Sequence, residues 1–166
     1  LPIHFIAYLL EDARVQRATA IDLYEPGGTP GSDLGHITTY VYGYGALLSA
    51  AVKEELRAAM QSISSAMIEV HVQDATIVTQ DIDVTVVALA GFDVGQIADD
   101  VEAALVEYFA PATWPWGRDI MVTEIIDVAA DVTGVDYVDS VTTPASDVTV
   151  DDNELAQAGT ITVTVS

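Results

Sequence analysis

The clearest alternation in the chain runs from Thr76 to Ala90. Ile82, Val84, Val86 and Ala88 fall on one side of an extended chain, and Asp81, Asp83 and Thr85 on the other, the two-residue period of a half-buried strand. The period then changes. Ile97, Val101, Ala104, Leu105 and Tyr108 recur at three- and four-residue spacing, with Asp99, Asp100, Glu102 and Glu107 between them, which predicts a helix with one buried stripe. Asp93 and Gln96 have the spacing of a capping box at its start, and Pro111 stops it. Leu48, Val52, Leu56, Ala59, Met60 and Ile63 predict a second helix, opened by Ser49 and running to about Ser62. A third is expected from about Thr123 to Asp131, ended by Gly134.

Val15–Tyr24 and His36–Tyr44 are rich in β-branched and aromatic residues and flank the Gly/Pro cluster of residues 25–33. They read as antiparallel strands joined by a loop. Leu1–Ala13 reads as the end of a helix that leads into the first of them. Further strands are expected at 68–72, 135–141, 147–150 and 160–165, with Asp151–Glu154 capping a single helical turn that Gly159 closes. The class is α+β: antiparallel strands with three main helices, outer hairpins flanking a helical middle. The expected division is a helix end and hairpin at 1–45, sharing a sheet with 146–166, around an α+β middle domain at 46–145.

Composition narrows the function classes. Hydrophobic residues make up 51% of the 166 and charged ones 19%, so the chain fills a core rather than remaining an acidic disordered segment. With no Cys, disulfides, zinc–thiolate sites and thiol catalysis are excluded. No uncharged apolar run reaches the roughly 18 residues of a membrane span. The longest, Leu1–Leu10, has no basic segment before it and does not read as a signal peptide. A first residue of Leu rather than Met points to residues upstream.

Charge is the strongest compositional feature: 26 Asp and Glu against 5 Lys and Arg, net −21, spread along the whole chain. Such a surface repels itself at ordinary salt. At molar salt the Debye length falls to about 3 Å and the repulsion is screened. The balance therefore reads as a protein that folds in concentrated salt. It argues against nucleic-acid partners, which need a basic face, and against insertion into or binding on anionic membranes.

Candidate chemistry is sparse. Glu54-Glu55, Asp99-Asp100 and Asp151-Asp152 are neighbours in sequence, whereas acid/base catalysis needs carboxyls converging across a cleft. Asp147, Asp151, Asp152, Asn153 and Glu154 resemble a calcium loop but lack its central Gly, and helix capping explains Asp151 and Glu154. His4, His36 and His71 lie in different elements with no HExxH or HxH spacing, and read as strand or core histidines. No G-x-S-x-G elbow is present, and residues 27–31 lack the Lys of a phosphate-binding loop. Tyr40, Tyr42 and Tyr44 share a strand face suited to cross-strand packing. The most distinctive candidate is the loop holding Trp114, Trp116 and Arg118: two indoles and a guanidinium suit an interface anchor, and equally a ring that plugs the core. Neither a catalytic residue nor a metal ligand nor a cofactor is expected.

An ordered series of segments resembles the baseplate J family of phage-tail and contractile-injection proteins. Ala18-Thr19-Ala20, Thr29-Pro30-Gly31 and Ile37–Tyr44 resemble its strand, P-G, strand opening, and Ala46–Met60 its first helix. Ile77–Leu89 is similar to its long strand, and Val101–Phe109 to its V-x-x-A-L-x-x-Y helix. Trp116–Ile120 with Thr123–Ile126, then Gly134–Val138, then Asp147–Val150 with Glu154–Ala156 and Gly159–Val163, complete the series. The resemblance covers roughly residues 15–165, and the family's larger N-terminal part has no counterpart here. It implies a structural wedge subunit without catalytic residues, in a homo-oligomeric ring around the tail axis. Such a subunit joins the tail hub to peripheral fibres or receptor-binding parts, has other baseplate, tail-tube or fibre proteins as partners, and lies in the virion after assembly in host cytoplasm. The acidity departs from most of the family and fits a virus or injection machine of a halophilic archaeon. Two other readings stand beside it: a polysaccharide-binding or polysaccharide-degrading tail domain, from the carboxylates and tryptophans, and a salt-adapted cellular domain unrelated to tails.

Overall fold

The computed structural model describes residues 2–166; Leu1 lies outside them. The chain divides into two compact units, Leu1–Thr76 and Ile77–Ser166. The first contains α1 (Pro2–Leu10), β1 (Val15–Asp22), β2 (His36–Gly43), α2 (Ala50–Ile63) and β3 (Glu69–Asp74). The second contains β4 (Thr76–Ala88, beginning one residue before the division), α3 (Val94–Tyr108), α4 (Val122–Ala130), β5 (Val135–Thr143) and β6 (Glu154–Val165). The α+β class holds.

In the first unit the sheet order is β1-β2-β3. The turn-rich loop returns β2 antiparallel to β1, with Ala20 opposite Thr39. After α2 the chain enters β3 parallel to β2, with Ile37 opposite Val70. A helical crossover is the connection a parallel pair requires. α1 packs on β1 and α2 on β3, and the two helices touch. Between helices and sheet lie Phe5, Leu9, Val15, Ile37, Val41, Leu56, Met60, Val70 and Val72. Ser49 starts α2 as expected, its hydroxyl accepting from the Val52 N–H at 3.4 Å.

In the second unit the order is β5-β4-β6. β5 runs antiparallel to β4, with three register shifts along the pair. On the other side the Ala88 N–H donates to the Ser166 carbonyl and the Ser166 N–H to the Val86 carbonyl. One residue bonding on both sides of its neighbour in this way is the parallel pattern. α3 packs on β6, α4 on β5, and the helices touch. Asp93 caps α3, accepting from the Gln96 N–H at 2.9 Å.

Three expectations change. The outer segments do not share a sheet: β1 and β2 pair with β3, and β6 pairs with β4, so 1–45 and 146–166 belong to different units. The boundary expected at 45/46 falls inside the first unit, because α2 and β3 complete its core. Finally, Glu154 opens a strand rather than a helical turn. Its carboxylate accepts from the Asp151 N–H at 2.9 Å and its own N–H donates to the Asp151 carbonyl at 2.8 Å, which closes a tight turn. The β-branched run that follows then extends along β4. Residues 147–150 make one bridge, Val148 to Ile120, rather than a strand.

Candidate functional site

Two side-chain clusters stand out, one in each unit. In the second unit, Trp114 is 1% exposed. Its ring stacks on Phe109 at 5.2 Å between centroids and meets Tyr108 edge-on at 5.4 Å. Its indole N–H donates to the Arg118 carbonyl at 3.1 Å, and the Arg118 guanidinium sits 5.6 Å from the ring centroid. Glu124, from the first turn of α4, pairs with Arg118 and accepts the Tyr108 hydroxyl at 2.6 Å. Burial and that bond push the Tyr108 phenol up to about 12. The same phenol, then Arg118, hold the Glu124 carboxyl below its ordinary value. The cluster ties the end of α3 to the start of α4, as a lock rather than a reactive centre.

Of the three interface candidates, Trp114 is therefore a core side chain, while Trp116 is half-buried and Arg118 lies at the surface. The loop that carries them turns at Gly117, whose φ is +63° and beside which Asp152 packs closely.

Several acids bond to backbone, among them Asp147 of the candidate calcium loop. Asp147 accepts from the Val122 N–H at 2.8 Å and so caps α4, whose own N-cap residue, Met121, has no side-chain bond to offer. Asp119 accepts from the Val150 N–H at 2.9 Å. Asp81 accepts from the Thr160 N–H at 2.7 Å, with the Cα of Gly159 leaving room for its carboxylate. These bonds serve the fold.

The second cluster joins residues that sequence spacing does not connect. His36 opens β2 and His71 lies in β3, with their rings inclined by only 13°. His36 Nδ1 and His71 Nε2 are 3.1 Å apart, and Glu69 Oε1 lies 4.0 Å from His71 Nε2. His36 and Glu69 are direct partners across the parallel pair. Both histidines are partly buried and Glu69 is exposed. The signal in the sequence was Glu69-Val70-His71, whose alternation puts the acid and the imidazole on one strand face. The signal for His36 was its place at the start of a strand, which means nothing until β2 and β3 are known to be neighbours.

A model of the baseplate J-like protein C-terminal domain matches residues 80–164, nearly the whole second unit. No curated protein matches the sequence. Among solved structures, a chain of the anti-feeding prophage (AFP) baseplate, determined by cryo-electron microscopy with 6-fold symmetrisation, is similar over 93% of this chain, with a TM-score of 0.66 and 15% identity. This chain spans 36% of that one. At such identity the likeness concerns the fold, and it extends across both units.

Proposed function

The chain belongs to the baseplate J family, and on that premise we propose that it is a structural subunit of a tail baseplate, a wedge linking the tail hub to peripheral fibres or receptor-binding parts. The observation that carries this reading is the family match, whose limits at 80 and 164 coincide with a compact unit at 77–166. The arrangement of side chains supports it. The charged and aromatic groups that converge in the second unit lock helices together and cap backbone, which suits a part whose work is to hold shape and contact neighbours. On this reading the protein is not an enzyme. It acts in a ring of copies, alongside tube, hub or fibre proteins, in the assembled particle. The surface part of the tryptophan loop, Trp116 and Arg118, is offered as a contact to those neighbours. The polysaccharide reading rests on the carboxylates and on the Trp114/Trp116 loop, and burial of Trp114 removes one of its two indoles from the surface.

The test is assembly of tail particles with and without the gene, followed by composition analysis and imaging. Particles should contain the chain in fixed stoichiometry, and those made without it should lack an organised baseplate. Normal, infectious or injecting particles without the chain would overturn the reading.

A further inference from the structure

We propose that His36, Glu69 and His71 form a binding site for a divalent transition-metal ion of the zinc class. The donors are two imidazole nitrogens and one carboxylate oxygen, and the ligand atoms all lie within 4.8 Å of one another. Three protein ligands of this kind, with water completing the shell, are a known arrangement for zinc. Imidazole nitrogen also selects such ions over magnesium or calcium, which take oxygen.

The strands build the site. His36 faces Glu69 directly across β2 and β3, and His71 follows Glu69 by two residues on the same face. Folding of the sheet thus brings the donors together before any ion arrives. His36 and Glu69 line a groove open to solvent, beside Arg57 and Met67, so an ion and its waters have access. Arg57 is the electrostatic competitor, since it interacts with Glu69. It is held by Glu54 through two bonds of 2.8 and 2.7 Å, which neutralise much of its charge. The net charge of −21 further concentrates cations at the surface.

The ring geometry says what must change on binding. Nearly coplanar rings with centroids 5.4 Å apart and nitrogens 3.1 Å apart lie end to end, one nitrogen donating its proton to the other. Zinc–nitrogen bonds of about 2.0–2.1 Å do not fit into that straight gap. The rings therefore turn about their Cβ–Cγ bonds until both lone pairs converge on the Glu69 side. The proton leaves the coordinating nitrogen, and the neutral ring carries it on its far nitrogen. The ion then clamps the edge strand β3 to the central strand β2.

The experiment is a calorimetric titration of the whole chain with Zn2+ near neutral pH. It is run in about 1 M salt to screen surface carboxylates, and the histidine ring resonances are followed in parallel. Binding should be one ion per chain, with His36 and His71 shifting, His4 unmoved and Mg2+ without effect. His36→Ala and His71→Ala should each weaken binding by about tenfold or more, and Glu69→Gln by less. Where a variant does not fold, the wild-type resonances decide. Absence of stoichiometric binding, or shifts that leave His36 and His71 untouched, would overturn the site and leave a proton-bridged pair.

Discussion

The two units are built on the same sheet plan and carry very different charge. Each has a central strand with an antiparallel neighbour on one side and a parallel neighbour on the other, covered by two touching helices. Yet residues 1–76 hold nine carboxylates against four Lys and Arg, net −5, whereas residues 77–166 hold seventeen against one, net −16. Ion pairs draw on the few cations: Arg14 pairs with Asp12 and Glu55, Lys53 with Asp74, Arg57 with Glu54, and Arg118 with Glu124. The apolar pattern and the turns set the architecture, and the solvent-facing positions are left to vary in charge.

The helix-to-strand corners show the same plan at residue scale. α1 and α4 each have nine residues, and each is followed by four turn residues and a strand that opens with a buried Val, Val15 or Val135. The corner bonds correspond, from Val15 N–H to the Asp12 carbonyl at 2.9 Å and from Val135 N–H to the Val132 carbonyl at 3.1 Å. The last turn residue differs. Arg14 closes the first corner by donating its N–H and its guanidinium to Asp12, which holds that carboxyl down at about 2. Gly134 closes the second with φ of +97°, its Cα against the Phe92 ring. One corner uses a side-chain clasp and the other a backbone conformation open to glycine.

The largest expected effect comes from Trp114→Ala. Removing a buried aromatic should cost about 3–5 kcal/mol, read by denaturant unfolding, with hydrogen-exchange protection lost across 77–166 and retained in 1–76. Equal loss in both would show one cooperative body instead of two. Next is Gly134→Ala, which places a side chain in the left-handed region and should cost about 1–2 kcal/mol from the backbone alone. A Cβ there would also lie 2.7 Å from Phe92 Cδ1. Arg14→Ala at the matching corner loses only an exposed clasp, so its cost should be smaller than that of Gly134→Ala, read by the same denaturant unfolding. A larger loss from Arg14→Ala would reverse the comparison.

Salt separates the units by charge. Lowering salt from molar to about 0.1 M lengthens screening to about 10 Å, and exchange protection should fall more in 77–166 than in 1–76. A loss of about 1 kcal/mol would appear as about 4–8 °C in Tm for a unit of this size. A Tm independent of salt would defeat the reading of the chain as salt-adapted. The smallest effect is at Tyr108. Its raised phenol pKa favours the neutral form when folded. That stabilisation is therefore complete below the ordinary value near 10 and is lost as pH rises through about 12. Tyr108→Phe should flatten the fall in stability over that window, measured by denaturant titration.

Local chemistry was legible in the sequence. The Asp93 cap, the alternation of β4 and the Gly/Pro turn between β1 and β2 each act over a few residues, and all are present. Sheet order was not legible, since nothing near β3 or β6 states which strand it will lie beside. The His36–His71 pair, 35 residues apart, was hidden for the same reason. Asp147 is similar: it caps a helix 25 residues away, a partner visible only after folding. Trp114 lay between, because a loop tryptophan beside an amphipathic helix is equally suited to core or contact, and its stacking on Phe109 decided for the core.

The most direct test of the baseplate role is a cryo-electron microscopy map of the native particle at side-chain resolution. Density is expected for both three-stranded sheets in repeated copies around the tail axis, at the level of the baseplate, each copy touching its neighbours. A complete baseplate map with no density for this fold would contradict it.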